Sequence, residues 1–388
     1  MPLLITDDQR RARLGHRHLL RPAARAGTVP QVADALAGLH ATDAATVYLS
    51  VCARLAHPSA EAVDRALYED LSLVKLLSMR RTIFAVSEEF APYVGSSTAR
   101  AIAAKERATL LKHLRDGAEG WDEARLAEAE RATLAALTLR GQATTSQLAE
   151  DVPALRETIL MSPDKPYGGR QSVGSRLLRL LASDGHVRRC RPRGSWLSSS
   201  YPWAPVPQLP ELPVRESKAE VARRWLAAFG PATEADLKWW TGWTLGDTRK
   251  ALADLTAVQV RLADGAVGHV LPGDEETTDP AEPWAALLPA LDPTTMGWRG
   301  RDWYLRPEDV PALYDRAGNA GPTVWWNGRI IGGWAQRPGG ELVHRLFTDP
   351  GAEARAAVEA ETERLAAWLG DVRVTPRFRT PLERELVG

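Results

Sequence analysis

An imidazole, a hydroxyl and a carboxylate follow one another near the amino end of the chain, at His40, Thr42 and Asp43. A neutral imidazole can accept a hydrogen bond from water or act as a base, because histidine titrates near neutral pH. A threonine hydroxyl can orient the same water, and a carboxylate can offset a developing positive charge. We therefore take His40, Thr42 and Asp43 as candidate catalytic groups of a site that activates water.

Each of these residues also has a structural interpretation. Asp43 directly precedes an apolar run, and its side chain is among those preferred at a helix N-cap, so we favour that role for it. His40 could be a partly buried histidine that bonds to a neighbouring backbone group. Cys52 and Cys190 lie far apart in the sequence. No metal-ligand spacing is present, so we predict neither a metal nor a cofactor.

Four arginines fall within a predicted hairpin at residues 186–196, without an acidic residue between them. Clustered like charges repel one another unless a polyanion is present, which favours contact with DNA phosphates over a solvated hairpin. A second basic hairpin turn could bind DNA or pair with acidic residues across a domain joint. The predicted DNA-binding residues are Arg80, Arg81, Arg176, Arg188, Arg189, Arg191 and Arg193.

The elements that must position these side chains include two stretches with a shared sequence pattern, residues 141–148 and 230–237. Both read Gly-x-Ala-Thr-x-x-x-Leu, in which one helix ends and a threonine caps the next. Each is followed by another amphipathic helix and a predicted hairpin, which is the winged-helix arrangement. The repetition strengthens this interpretation.

A more diverged winged helix is predicted at the amino end. Its helices cover residues 6–20, 28–40, 43–56 and 59–70, and its hairpin covers residues 76–86. The first helix carries Arg10, Arg11, Arg13 and Arg17 together with His16 and His18, which we interpret as a solvated face.

We predict an α+β, mostly helical, C-shaped chain with three tandem winged-helix domains and a β-rich carboxyl-terminal region. In the last region an Asn327-Gly328 turn joins two strands, and a helix covers residues 350–369. The predicted divisions are winged helix 1 at 1–96, a helical connector at 97–140, winged helix 2 at 141–204, a Pro-rich linker at 205–217, winged helix 3 at 218–283 with an acidic loop at 274–279, and the β-rich region at 284–388.

The 388 residues carry a formal net charge of zero. This is weak evidence against a large nucleic-acid-coating surface, but it allows a basic stripe on one face. The amino end resembles no signal peptide, and no apolar run is long enough to span a bilayer. We expect a cytoplasmic, nucleoid-associated monomer.

The segments 36–43 and 287–293, together with Gly297-Trp298-Arg299, resemble the AlkZ/YcaQ-like family of tandem winged-helix proteins. The resemblance covers nearly the whole chain. It implies a DNA glycosylase that binds damaged double-stranded DNA and excises bulky alkylated purines, in some members unhooking crosslinks. Such an activity belongs to base excision repair or to self-resistance against a genotoxin.

The family's reactive motif is Gln-apolar-Gln or Gln-apolar-Asp, and it corresponds to His40-Ala41-Thr42 in this chain. Both motif positions depart from the pattern. The alternatives are therefore a glycosylase that uses His40 and Thr42, a DNA-binding protein without excision activity, and a structural or protein-binding module. Asp292, within the family's Leu-Leu-Pro-x-x-Asp motif, is more simply explained by a turn before Pro293.

Overall fold

Helix–helix–helix–hairpin units account for most of the chain, followed by a four-stranded antiparallel sheet. The computed structural model describes residues 3–161, 169–276 and 282–388. Its helices and small sheets confirm the predicted α+β class. The largest apolar cluster joins the first hairpin, the helices of the third unit and residues 284–305. The first and third units are thereby packed against each other through shared core side chains.

The first unit has four α-helices and a hairpin, with one short strand between the second and third helices. The short strand pairs with the last strand of the hairpin and lies at one edge of a three-stranded sheet. The elements are β1 (Leu4–Ile5), α1 (Asp7–Arg17), α2 (Val29–Ala35), β2 (Leu39–His40), α3 (Ala44–Cys52), α4 (Ala60–Asp64) with a π-helical turn (Arg65–Glu69), β3 (Leu73–Ser78) and β4 (Thr82–Ser87).

The helix predicted over residues 28–40 is wrong in its last turn. Helix α2 ends because Ala37 and Gly38 have φ angles of 49° and 115°, in the left-handed region that a helix cannot continue through. A side chain at Gly38 would meet Val86 Cγ1 at 2.9 Å, so the close approach to β4 also requires glycine. His40 is thereby placed on a strand.

The second unit begins after a short helix α5 (Ala91–Val94) and a π-helical turn (Gly95–Ala99). It contains two long helices and its own hairpin strands. The elements are α6 (Arg100–Gly117), α7 (Glu123–Arg140), α8 (Thr145–Asp151), β5 (Thr158–Met161), β6 (Gly169–Ser172), α9 (Val173–Ser183), β7 (Val187–Arg189) and β8 (Trp203–Pro205).

The predicted local hairpin at 186–196 is wrong in its second strand. β7 pairs instead with β8, so that Arg189 lies opposite Trp203 across a long intervening loop. Trp203 supplies a buried aromatic side chain on β8, with Tyr201 packed against it edge to face, and the arginine-rich stretch 188–193 has no aromatic side chain. Arg188 and Arg189 therefore lie on a strand, and Arg191 and Arg193 lie in the loop.

The third unit follows the prediction closely. Its elements are α10 (Val214–Phe229), α11 (Glu234–Thr241), α12 (Leu245–Asp254), β9 (Val258–Leu262) and β10 (Val267–Val270). Thr144 and Thr233 both cap the following helix, which confirms the repeated motif. In each motif the alanine, Ala143 or Ala232, pairs with the last strand of its own hairpin. Strand β2 occupies the same position in the first unit.

The carboxyl-terminal region contains β11 (Ala285–Leu288), α13 (Val310–Leu313), β12 (Thr323–Trp326), β13 (Arg329–Gln336), β14 (Leu342–Leu346), α14 (Ala352–Leu369) and α15 (Pro381–Val387). The Asn327-Gly328 turn and helix α14 are confirmed. The predicted acidic loop is described as far as residue 276, and its remainder lies outside the described residues. The domain boundaries stay predictions.

Candidate active site

The His40 side chain lies at the junction of the first and third units. His40 pairs with Phe84 across β2 and β4, and the two ring centroids are 5.1 Å apart. Phe84 in turn contacts Trp240 of α11 edge to face. Only 3% of His40 is exposed, so the ring is buried and does not face an open hollow. Its Nδ1 atom is buried without a hydrogen-bond partner in the described structure.

The environment of His40 keeps its imidazole neutral. Burial, and next the positive charge of Arg80, lower the pKa of His40 to about 3, although the carboxylate of Asp292 acts in the opposite direction. A ring with this pKa carries no charge at physiological pH. It can orient water through hydrogen bonds, but it cannot serve as a cationic acid.

Thr42 and Asp43 both bond to the backbone. Thr42 Oγ1 accepts a hydrogen bond from the Ile83 amide at 3.3 Å. Asp43 Oδ1 accepts from the Ala45 amide at 3.2 Å, which confirms the N-cap interpretation. Asp43 Oδ2 accepts from the Arg377 amide at 3.0 Å. Both carboxylate oxygens of Asp43 are thus engaged, and its catalytic role stays a prediction.

Asp292 forms part of a completely buried ion pair. Its Oδ1 and Oδ2 accept hydrogen bonds from Arg54 Nη2 and Nη1 at 2.7 and 2.9 Å. Ser50 Oγ donates at 2.7 Å, and the Thr294 amide donates at 2.9 Å, which confirms the predicted turn. Burial by itself raises the pKa of Asp292, but the charge of Arg54 and these hydrogen bonds outweigh burial, so the pKa lies below its usual value. We assign Asp292 to the scaffold.

Two arginines lie over the ring of Trp239, near the hairpin that pairs with the His40 strand. The Arg80 guanidinium lies 3.9 Å from the centroid of the Trp239 ring, and that of Arg301 lies at 5.4 Å. Both Nε atoms are buried without a partner, and neither side chain forms an ion pair within the described residues. Burial, and next the charge of Arg301, lower the pKa of Arg80 to about 10. Arg80, Trp239 and Arg299 line a hollow of about 990 Å³, which we call the Trp239 hollow.

The sequence analysis named Arg80 as a candidate DNA-binding residue and did not name Arg301. Arg301 lies two residues beyond the Gly297-Trp298-Arg299 motif. That motif could have directed attention to it. Arg80 has a left-handed φ of 54°, in the tight turn Met79–Arg81, and the turn contacts α11. The contact between hairpin and helix depends on tertiary packing, and the local sequence does not encode it.

The other predicted DNA-binding arginines divide into two groups. Arg81 of the first unit pairs with Glu106 of the second unit. Arg191 of the second unit pairs with Glu69 and Asp64 of the first unit, at 2.7 and 3.4 Å, so in both cases the neighbouring unit supplies the acid missing from the local sequence. Arg193 is exposed.

The remaining three, Arg176, Arg188 and Arg189, line a second cavity between the first and second units. Arg189 also stacks over Tyr201 at 4.9 Å. DNA contact by the arginines of both groups stays a prediction.

Comparison with known proteins supplies the family. The family model of AlkZ-like DNA glycosylases matches residues 33–368. The chain belongs to the AlkZ-like DNA glycosylase family. The Streptomyces sahachiroi DNA glycosylase AlkZ has a similar fold, with a TM-score of 0.72 and 23% sequence identity over 97% of this chain and 100% of that one. No curated protein matches significantly. Family membership identifies this AlkZ-like chain as a DNA N-glycosylase, a hydrolase.

The amino-terminal helix of this AlkZ-like protein corrects one interpretation. Arg10, Arg11 and Arg13 are 7%, 6% and 3% exposed, so the predicted solvated face is wrong. Arg13 donates to the carbonyl oxygens of Asp274 and Glu276 at 3.0 and 2.6 Å. Helix α1 therefore holds a distant segment in place, because its arginine side chain donates hydrogen bonds to backbone carbonyl groups of that segment.

His18 is fully buried. Its ring nitrogens contact Thr294 Oγ1 at 2.8 Å and the Ala228 carbonyl at 3.1 Å. Among the described residues, no helix is both long and apolar enough to cross a membrane.

Proposed function

We propose that this glycosylase hydrolyses the N-glycosidic bond of cationic N3- or N7-alkylated purines in duplex DNA, including bulky adducts. One observation carries the proposal: two carboxylates related to His40, Asp43 three residues further along the chain and Asp292, whose charge acts on the pKa of His40, are both occupied. Asp43 bonds to two backbone amides, and Asp292 lies in a buried pair with Arg54. A site without a free carboxylate suits a substrate whose base leaves without protonation.

The chemistry fits a neutral site. An alkylated purine with a positive charge is already a good leaving group, and the electron pair of the breaking bond neutralises it. The sugar gains oxocarbenium character and then bonds to a water oxygen, and the water's proton passes to solvent. In our proposal His40 and Thr42 orient that water. The unused hydrogen-bonding capacity of His40 Nδ1 supports this role, because buried polar atoms are rarely unpaired outside functional sites.

The arginines around Trp239 would hold the DNA backbone next to His40. Unpaired, half-buried guanidinium groups repel one another, and a phosphate between them would relieve that repulsion. The indole ring beside them offers a surface for base stacking. Exposed Arg193 and Arg81 would contact the duplex further out. The roughly 990 Å³ of the Trp239 hollow supports the inclusion of bulky adducts. Crosslink unhooking, as in some family members, would use the same site.

The charge of the leaving base provides the test. Duplexes of one sequence would carry a single N7-methylguanine, which is cationic, or a single uracil or hypoxanthine, which are neutral. We expect release of the cationic base, seen by chromatography and by strand cleavage at the abasic site, and no release from the neutral duplexes. Equal release of neutral bases, or binding of the alkylated duplex without an abasic product, would contradict the proposed substrate class.

A further inference from the structure

A cavity of about 530 Å³ lies between the first and second units, away from the Trp239 hollow. We call it the inter-unit cavity. Its walls come from β3, α6, α9 and the segment 206–210, and they are mostly aliphatic. The aliphatic side chains that line it include Leu73, Leu76, Leu77, Ile83, Leu110 and Leu180. This volume lies within the range of pockets that bind small molecules.

The inter-unit cavity combines these apolar walls with an excess of positive charge. Five cationic side chains line it: Lys75, Arg176, Arg179, Arg188 and Arg189. None of the five forms an ion pair within the described ranges. Two carboxylates line it, and one of them, Glu106, is paired with Arg81. The cavity therefore holds uncompensated cations.

Individual polar atoms in the cavity walls also lack hydrogen-bond partners. Arg176 Nε and Arg188 Nη1 are buried without any hydrogen-bond partner among the described residues, and so is Nδ1 of His113. Donors that are buried and unpaired are costly in free energy, and they are normally satisfied by protein, water or a ligand. Burial, and next the charge of Arg189, lower the pKa of Lys75 to about 8, although its Nζ contacts Tyr68 Oη at 2.9 Å.

We propose that the inter-unit cavity binds a small amphipathic anion, an aliphatic or aromatic body carrying one carboxylate. The aliphatic walls favour the apolar body, and the unpaired donors of Arg176 and Arg188 favour the carboxylate. A phosphodiester backbone would leave charged oxygens against leucine side chains, so nucleic acid fits this cavity poorly, and the proposal is an alternative to the predicted DNA contact of Arg176, Arg188 and Arg189. A neutral apolar molecule would leave the guanidinium donors unsatisfied.

The ligand would also fasten two units together. The cavity wall includes Ile83 of β4, the residue whose amide bonds to Thr42, and Leu180 of α9 in the second unit. A molecule bound there contacts both units and stabilises the folded protein by mass action. The inference concerns a site other than the proposed catalytic one, so binding can be measured without DNA.

A matched pair of ligands tests the proposal on the full chain. Calorimetric titration would compare 2-naphthoate with 2-naphthalenemethanol, which share a ring system and differ in charge. We expect the carboxylate to bind at least ten-fold more tightly and to raise the melting temperature. Naphthoate binding no tighter than that of the alcohol, or no binding by either, would overturn the proposal.

Substitutions then locate the site. Arg176→Gln and Arg188→Gln each should weaken naphthoate binding about ten-fold and leave binding of the alcohol unchanged. Exposed Arg193→Gln is the control and should leave both affinities unchanged. If Arg193→Gln weakens naphthoate binding as much as the other two, the attraction is a general surface effect and the cavity is not the site. Base release from alkylated DNA, measured in parallel, tests the proposed function separately.

Discussion

At the scale of single residues, the main result is a buried histidine held neutral, at the position where the sequence resemblance expects the glutamine of the family's motif. A glutamine is uncharged at every pH. A histidine with a pKa of about 3 is likewise uncharged at physiological pH. The residue type visible in the sequence suggested a base that titrates near neutrality. Burial of the ring against Phe84, which depends on the pairing of β2 with β4, removes that property. No local pattern in the sequence could have predicted this shift.

His40 and His18 together predict a loss of stability in mild acid. Burial lowers the pKa of His18 to about 3 as well. In the unfolded chain both rings take up protons near pH 6.5, whereas in the folded chain they do so only near pH 3. The unfolded state therefore binds more protons between these values, and the free energy of unfolding falls as the pH falls.

Each histidine should contribute about 1.4 kcal/mol per pH unit in this window. Urea denaturation at several pH values between about 5 and 7 would measure the slope, in a range where most carboxylates of the unfolded chain are ionised. The His40→Gln variant should show a shallower slope than the unsubstituted protein. An equal slope in both would show that His40 becomes protonated in the folded state.

At the scale of elements, the parts that local signals encode were predicted well. Thr144 and Thr233 cap their helices, and the Asn327-Gly328 turn joins two strands, because each depends on neighbouring residues. Strand β2 was missed because its two residues become a strand only by pairing with β4, which lies more than forty residues away in the chain. The burial of Arg13 was missed because its acceptors lie about 260 positions away in the chain. Contacts between elements thus define the candidate site more than motifs do.

The ion pair of Arg54 and Asp292 fastens the turn after helix α3 to the segment after β11. Both side chains have zero exposure. Asp292→Asn removes one charge and leaves Arg54 buried and uncompensated, so we expect a loss of about 3–5 kcal/mol in the free energy of unfolding. Urea denaturation would measure it. The exposed pair of Arg345 and Glu385 is the control, and Glu385→Gln should cost less than about 1 kcal/mol. Similar costs in both variants would contradict the assignment of Asp292 to the scaffold.

At the scale of the whole molecule, a chain of zero net charge still concentrates unpaired cations in particular places. Most arginines pair with acids, as Arg191 does with Glu69, and this leaves clusters such as the one around Trp239. Composition alone could not distinguish the paired arginines from the unpaired ones. The predicted DNA-binding set was chosen by spacing along the chain. The structure instead distinguishes its members by the acids that neighbouring units supply.

Salt dependence should separate these two kinds of arginine. Arg80→Gln and Arg301→Gln should each weaken duplex binding, and each should reduce the slope of log affinity against log salt by about 0.9 if a phosphate contact is lost. Arg191→Gln, whose guanidinium is already paired with Asp64 and Glu69, is the matched control and should change the slope little. A larger change for Arg191→Gln than for Arg80→Gln would place the DNA elsewhere on the protein.

The most direct test of the account measures single-turnover release of N7-methylguanine from duplex DNA by three proteins: the unsubstituted chain, His40→Ala and Asp43→Asn. Asparagine is as good an N-cap as aspartate, so Asp43→Asn removes the charge while keeping the cap. We predict that Asp43→Asn releases the base at a rate near that of the unsubstituted chain. His40→Ala should bind the duplex with nearly unchanged affinity and lose release by about 100-fold or more, the scale expected for a group that positions the reacting water. Release that survives in His40→Ala and disappears in Asp43→Asn would contradict a neutral, carboxylate-free site and transfer the chemistry to Asp43.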